Sequence, residues 1–328
     1  MPNLPLYPLR FEPILRQLIW GGRRLGTVLH KTIGSESDYA ESWELSDYQD
    51  KVSVVSDGPL AGTTLRELVR SRGDELLGPA MGRREQFPLL VKFIDANQNL
   101  SVQVHPDDEE ARRLAGDSGK TEAWVILAAE PGSAIYAGLE AGVGPGDLNE
   151  AIHSGIVEPL LHRFDAKPGD SILIEAGTVH AIGAGVLLVE VQQMSDATFR
   201  VYDWNRIGPD GKPRQLHIRE AMQSIDFQRG PVGPVAPVVE EIEGVGSREH
   251  LARSRYFALD RLKIRRPTTV GSHDRFTVLM GLEGSADLAQ GRWSGRLDFG
   301  QTILLPAAVG PCEIVPRDGA VILTCVVP

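Results

Sequence analysis

The chain has 328 residues, long enough for two domains of ordinary size or for one large β domain. Its 34 Lys and Arg against 44 Asp and Glu leave a net charge of −10. A broad grip on nucleic acid is therefore not expected, because a polyanion is held by clustered cations that release counterions. Hydrophobic residues make up 42% and charged ones 24%, a globular balance, and the 35 Gly and 22 Pro point to many short strands and turns. The two cysteines, Cys312 and Cys325, form no C-x-x-C pattern, so neither a disulfide framework nor a zinc knuckle is expected. The start lacks the pattern of a secretory leader and no later run nears 18 apolar residues, so a soluble, cytoplasmic protein with no membrane role is expected.

In chain order, the first clear element is a helix over 64–77, where Leu65, Leu68 and Val69 share a face and Thr64 with Glu67 matches a capping box. LLVKFI (89–94) and LSVQVH (100–105) read as strands. Asp107, with Glu110 three residues on, is a helix start. EAWVILAA (122–129) is a strand, Asp147 with Glu150 starts another helix, and VLLVEVQQ (186–193) is a further strand. His217 opens a short helix whose stripe is Ile218, Ala221, Met222 and Ile225. Residues 230–246 carry three prolines and two glycines in their first eight positions, the composition of an extended connector. Beyond it, 256–264, 276–282, 301–305 and 320–327 read as strands with hardly any helical periodicity. The expected fold class is all-β dominated, with an N-terminal domain over 1–229, a linker over 230–247 and a small β domain over 248–328.

A weak internal repeat links the halves. Residues 169–180 run from a turn glycine through a strand and a tight turn to His180, and 300–306 repeat the first half of that shape. The position equivalent to His180 is Pro311, which has no ligating side chain, so the second domain is expected to be metal-free. The alternative is two unrelated strand–turn segments.

Strand alternation places Leu100, Val102 and Val104 on one face, with Ser101, Gln103 and His105 on the other, and Pro106-Asp107-Asp108 then ends the strand at a turn. A solvent-facing strand would look the same. Lys120 and Glu122 open the next strand two residues apart and so share a face, a pairing that is usually just surface. His180 follows a buried-looking strand. Taken together, His105, Glu122 and His180 offer two imidazoles and one carboxylate at strand ends, a set suited to a divalent transition metal at an open site.

FPLLVKFIDANQNLSVQVHPDD, GKTEAW, GTVHAIG and EVQQMSDATFRVYD, in this order, resemble the type I mannose-6-phosphate isomerases of the cupin superfamily, in their shorter bacterial form. The match is dense from Phe87 to Tyr202, extends loosely to Trp20-Gly21-Gly22 and to Glu41 through Glu44, and is faint past the linker. The resemblance implies two jelly-roll barrels, the first enlarged by helical insertions near 64–77, 107–116 and 147–163. It implies one divalent metal, usually zinc, on His105, Glu122 and His180, with Gln103 as a further ligand in some members. It makes Arg200 the active-site arginine, Lys120 the lysine beside the metal carboxylate, and Lys92 and Ser101 residues of the sugar-phosphate pocket. One departure is Glu175, where the family turn opens with proline.

The chemistry agrees with that implication. Moving a proton beside a carbonyl needs a Lewis acid or a cation near the carbonyl oxygen, and in a chain of net charge −10 a phosphate dianion needs local cations, which Lys92, Lys120 and Arg200 supply. The expected activity is interconversion of mannose 6-phosphate and fructose 6-phosphate through a cis-enediol, with Lys120 or a metal-bound water moving the proton. Two other readings share parts of the pattern. Two His and a carboxylate also form the facial triad of non-haem iron oxygenases, and a sugar-phosphate-binding cupin without turnover would keep the basic pocket. Trp43 and Glu44 are as readily a packed aromatic and an exposed acid, and Glu190 and Gln192 as readily structural. His30, His153, His162, His217, His250 and His273 fall in no ligand spacing and receive no role.

Overall fold

The runs 89–96 and 186–193 show no alternation because the strands they form are covered on both faces. In the computed structural model, which describes residues 4–208 and 211–328, every residue of Leu89–Ala96 and Val186–Gln193 is buried. The two strands pair antiparallel without a register shift, from Leu89 opposite Gln193 to Ala96 opposite Val186. They are the centre of a six-stranded sheet in the order Ile14–Gly22, Tyr39–Leu45, Leu89–Ala96, Val186–Gln193, Glu122–Ala129, Ser171–Ile174. A five-stranded sheet, Phe199–Tyr202, Val102–Val104, His180–Ile182, Ala134–Leu139, Leu161–Asp165, closes over one face of it.

Ile94, Leu188, Trp124 and Ile126 from the first sheet meet Ile135, Ala137 and Ile182 from the second in a shared apolar layer, as expected of sheets packed face to face. On the other face of the six-stranded sheet, Leu89, Val91, Phe93, Leu187 and Val189 pack in one core with Leu251, Phe257, Phe276 and Leu323 of the C-terminal part. The strand-dominated fold is thus as the sequence implies.

The C-terminal sheet runs Val238–Ile242, Gly246–Arg253, Ala258–Ile264, Cys312–Val326, Thr277–Gln290, Trp293–Asp298, with Thr268–Val270 and Thr302–Leu305 pairing at its side. The connector is therefore shorter than its composition suggests. Pro231, Pro234 and Pro237 keep the chain out of a ladder, but from Val238 onwards it pairs with Gly246–Arg253. Cys312–Val326 and Thr277–Gln290 outrun the expected strands because register shifts at Gly281/Glu283 and Gly284/Ala286 bend the pair, letting it serve two apolar clusters. The N-terminal stretch also reaches this unit, where Leu9 and Leu304 exchange both backbone hydrogen bonds, at 2.8 and 2.9 Å.

The helices follow their start signals with one correction. Leu65–Leu77 carries the full Thr64/Glu67 capping box, and Asp107 caps Asp108–Leu114 by accepting from the Glu109 and Glu110 N–H groups. Asp147 is not a cap. The helix Pro145–Ser154 starts earlier, with proline in its first turn and Asp147 accepting from the Gly144 N–H. A second correction concerns 100–105. The strand is only Val102–Val104, and Leu100 lies in the layer between the sheets with Trp20 and Ile182, away from Val102 and Val104 on the outer face. The alternation begins one residue late because Leu100 belongs to the preceding turn.

Phe276 packs against Phe87 with ring centroids 4.8 Å apart, inside the core common to the two parts of the chain. Phe276→Ala is expected to cost about 3–5 kcal/mol and to lower a single calorimetric transition. Two resolved transitions, only one of them displaced, would show that the parts unfold independently.

Candidate metal centre and active site

The interior faces of the two main sheets change character along their length. Trp124, Ile94 and Leu188 fill one end with apolar side chains, while Glu122, Glu190 and Lys92, two residues further along the same faces, bring charge into the other. From the opposite sheet Arg200, Gln103 and His180 stand side by side on three neighbouring strands. Between them lies a cavity of about 280 Å³, near the lower bound for small-molecule sites, lined by Ser101, Gln103, Lys92, Lys120, Glu122, His180 and Arg200 among others. A wider cleft of about 810 Å³ beside Val69–Glu75 and Arg83–Glu85 holds none of the ligand-type cluster.

His105, Glu122 and His180 converge, with one ligating atom from each lying within 4.8 Å of the others. The three side chains come from three chain segments, and local structure aims each of them. Gly177, at φ +87°, makes the tight turn before His180, and its N–H donates to the His105 carbonyl at 2.8 Å. The same turn is closed by the Thr178 N–H donating to the Glu175 carbonyl at 3.1 Å, and Glu175 pairs with Arg229 at 3.3 Å. Backbone bonds thus hold the turn where the proline of the resembling sequences is replaced.

The histidine tautomers are fixed by the backbone. His105 Nδ1 lies 2.8 Å from the Ala197 carbonyl and His180 Nδ1 lies 2.9 Å from the Thr178 carbonyl, so each donates there and leaves Nε2 as a lone-pair donor. Those Nε2 atoms stand 3.3 and 3.5 Å from the two oxygens of Glu122, close to the roughly 3.3 Å ligand–ligand edge of a tetrahedral site with bonds of about 2 Å. Glu122 Oε2 is buried and accepts no well-directed hydrogen bond, although Lys120 Nζ lies 2.8 Å away. A buried carboxylate oxygen without an acceptor geometry, facing two imidazole lone pairs, is a donor set that fits a divalent cation.

Electrostatics keep the donors in ligating form. Burial and the Lys120 charge push His105 down to about 3, against the pull of Glu122, and burial likewise lowers His180, so both rings are neutral at pH 7. Burial alone would raise Glu122, but Lys120 and the two histidines hold it well below the usual carboxylate range. Lys92, buried beside Glu190 at 2.9 Å and Glu41 at 3.9 Å, stays charged because these carboxylates outweigh desolvation. Glu190 is raised by burial and by Glu122.

The wider comparison agrees with this geometry. The family model for the catalytic domain of type I phosphomannose isomerase matches residues 9–124. The protein named mannose-6-phosphate isomerase ManA of Bacillus subtilis is 36% identical over 94% of this chain and 95% of its own length. A mannose-6-phosphate isomerase of Streptococcus mutans is 33% identical over 92% of this chain and 93% of its own. The chain belongs to the type I phosphomannose isomerase family. The crystal structure of the mannose 6-phosphate isomerase from Bacillus subtilis superposes on 98% of this chain and 99% of its own with a TM-score of 0.88 and 30% identity, which fixes the fold as the cupin-type one. A putative mannosephosphate isomerase structure from Archaeoglobus fulgidus, 23% identical with a TM-score of 0.78, shares the fold.

Of the residues singled out from the sequence, Lys92, Ser101, Gln103, Lys120, Glu122, His180 and Arg200 line one cavity, and His105 joins Glu122 and His180 in the ligand-type cluster. Ser101 donates to Gln103 Oε1 at 3.3 Å, Gln103 Nε2 lies 3.3 Å from His180 Nε2, and Lys120 bridges Glu122 and His105 Nε2, the latter at 2.9 Å. Ser101 and His105 are buried, so the solvent-facing reading of their strand fails. Glu44 is no exposed acid either, since it pairs with Lys31 at 2.8 Å in the interior. Trp43 does line the cavity, Glu190 accepts from the Trp124 indole at 2.8 Å, and Gln192 donates to the Ser195 carbonyl at 2.5 Å, a structural bond.

Several residues escaped the sequence. His217, given no role, accepts the Arg200 N–H on Nδ1 at 3.2 Å, while Arg200 Nη1 donates to the Gln215 carbonyl at 2.7 Å, so the stretch after the Arg200 strand folds back to hold that arginine. Arg214, on this stretch, lines the cavity and is fixed by Asp203, its Nε donating at 2.8 Å. Arg16, Glu41, Asp196 and Thr198 also line it. Asp196 and Thr198 lie inside the EVQQMSDATFRVYD segment and Glu41 two residues before Trp43, whereas Arg16, Arg214 and His217 reach the site only through sheet curvature and loop return.

The donor set predicts about one tightly held divalent ion per chain. His180→Ala is expected to lose that ion on gel filtration, read by elemental analysis, with far-ultraviolet circular dichroism unchanged. Full metal content in the variant would show that His180 is not a ligand.

Proposed function

We propose that the chain interconverts D-mannose 6-phosphate and D-fructose 6-phosphate through a cis-enediol, using one zinc ion held by His105, Glu122 and His180. What supports this most is the convergence of the two imidazole Nε2 atoms with the buried Glu122 carboxylate, one of whose oxygens accepts no well-directed hydrogen bond, in a cavity that also carries Lys92, Lys120 and Arg200. Gln103 is the fourth ligand of this proposal through its Oε1, which reaches the ion when the amide is turned over from the arrangement in which Nε2 lies 3.3 Å from His180 Nε2. Two imidazoles and a carboxylate with one amide oxygen suit zinc among the common divalent ions. The bound ion supplies Lewis-acid polarisation of the substrate oxygens next to the transferred proton.

The chain's own groups do the rest. Lys120, 2.8 Å from Glu122 and directed at the same point, acts in this proposal as the neutral amine, which takes the proton from one of the two reacting carbons, becomes the ammonium, and returns that proton to the other carbon. Arg200, whose buried Nε has no partner, faces the charge that develops on the enediol oxygens, where a planar fork can donate two hydrogen bonds. Burial together with Arg214 and Arg206 lowers the Arg200 pKa against the pull of Asp203, which strengthens it as a donor while leaving it charged at neutral pH. Ser101 and Lys92 hold the phosphate or nearby sugar oxygens. The surrounding Trp20, Trp43 and Trp124 limit water at the reacting carbons. We place the boundary between the catalytic and the C-terminal parts at residues 230–247 and the protein in the cytoplasm. Among the described residues no helix is long and apolar enough to cross a membrane.

The test is a coupled assay on mannose 6-phosphate before and after chelation. Turnover that is lost with chelator and restored by zinc is the expected result. Equal turnover with no metal present refutes the metal role, and no turnover by the metal-loaded protein refutes the substrate. In the loaded enzyme Lys120→Met is expected to lower kcat about 10²–10⁴-fold, the range for losing a positioned acid–base group. Unchanged KM and metal content would assign that loss to proton transfer, whereas a loss of the ion would assign Lys120 to holding the metal site.

A further inference from the structure

The cavity's cations differ in what already neutralises them. Lys120 faces Glu122 at 2.8 Å, Lys92 faces Glu190 at 2.9 Å, and Arg214 is clamped on Asp203. Arg16 also lines the cavity, from the edge strand Ile14–Gly22, and among the described residues it makes no ion pair within 4 Å. Its Nη1 is buried and has no hydrogen-bond partner. Its guanidinium lies 5.1 Å from the centre of the Trp43 ring, and Lys92 Nζ lies 5.8 Å from the centre of the same ring. The Trp43 indole N–H donates to Glu41 Oε2 at 2.6 Å, which fixes the ring's orientation.

Two cations gathered on one aromatic ring repel each other, and the quadrupole of one ring offsets only part of that cost. A buried guanidinium nitrogen without an acceptor adds a desolvation cost of its own. Glu41, held on the Trp43 indole and 3.9 Å from Lys92, offsets part of the first cost but accepts nothing from Arg16 Nη1; a further anion there relieves both, because it accepts from Nη1 and screens Arg16 from Lys92. We propose that Arg16 binds the phosphate of the substrate together with Lys92, making the end of the cavity floored by Trp43 the place where phosphorylated and unphosphorylated sugars are told apart. This rests on the proposed sugar-phosphate substrate, which it deepens by assigning the charge that a dianion requires and that Lys92, already neutralised by Glu190, does not supply alone. Arg16 and Glu122 come from strands at positions one and five of the six-stranded sheet. An open-chain hexose phosphate would therefore place its phosphate and its reacting carbons at opposite ends of the cavity.

The experiment compares the metal-loaded wild type with Arg16→Gln and Arg16→Lys. Arg16→Gln is expected to raise KM for mannose 6-phosphate by tenfold or more with kcat changed less than about twofold, and to weaken inorganic phosphate, measured by calorimetric titration, by a similar factor. Arg16→Lys should fall between the two, because an ammonium restores charge but not the two-pronged geometry. Unaltered KM and unaltered phosphate affinity in Arg16→Gln would overturn the proposal, as would absence of phosphate binding in the wild type. If Arg16→Gln does not fold, Arg16→Lys decides: weakened phosphate binding at an unchanged melting temperature supports the assignment, and wild-type affinity refutes it. Should the wild type bind phosphate but fail to turn over mannose 6-phosphate, the substrate assignment fails while the phosphate titration still decides the role of Arg16.

Discussion

The site depends on one buried carboxylate. Glu122 lies between two apolar-backed sheets with 1% of its surface exposed, and an ion there without partners would be too costly to keep charged. What keeps it ionised is foremost the Lys120 ammonium 2.8 Å away, and the His105 and His180 rings that flank it are each fixed from outside. Backbone carbonyls orient the two histidines, and the turn at Gly177 ties the His105 and His180 segments together. The arrangement is preorganised in the sense that the ligand atoms already face one another and their rings are held in the ligating tautomer.

The same constraint shapes the fold around the site. The central strands are covered on both faces, one by the second sheet and one by the C-terminal part, so the charged end of the interior is shielded from water on every side except the cavity mouth. The C-terminal part also touches the motif region directly. Tyr256 donates to Asp108 Oδ2 at 2.7 Å, and the other oxygen of Asp108 accepts from the Gly119 N–H at 3.1 Å, immediately before Lys120. Gln193 donates to the same oxygen at 3.0 Å and accepts the Thr121 N–H at 2.9 Å. A chain of hydrogen bonds thus runs from the second unit to the segment carrying Lys120 and Glu122.

Cation placement gives the cavity a direction. Lys120 stands at the carboxylate and histidines, Arg200 and Arg214 on the five-stranded sheet and its return loop, and Lys92 and Arg16 over Trp43 at the far side of the six-stranded sheet. Each lysine has a carboxylate within 3 Å and Arg214 has Asp203, so the net field is set by the arginines that lack one. A protein of charge −10 can in this way present a locally positive interior to an anionic substrate without a basic surface.

Much of this was legible in the amino-acid sequence. Apolar runs bounded by Gly and Pro marked the strands, Thr64 and Asp107 marked helix starts, and two histidines and a glutamate beside strand ends marked a ligand set, because these signals act over a few residues and hydrophobic periodicity follows backbone geometry directly. Other features were decided only by tertiary structure. Whether 100–105 faced solvent could not be read from alternation, since a strand under a second sheet and one under water show the same period. The strand at Val238–Ile242 exists because Gly246–Arg253 offers it a ladder, and its own composition is that of a connector. Arg16, Arg214 and His217 lie far from the motifs in the chain. They join the site through sheet curvature and a returning loop, which are long-range consequences of packing that no local pattern of residues encodes.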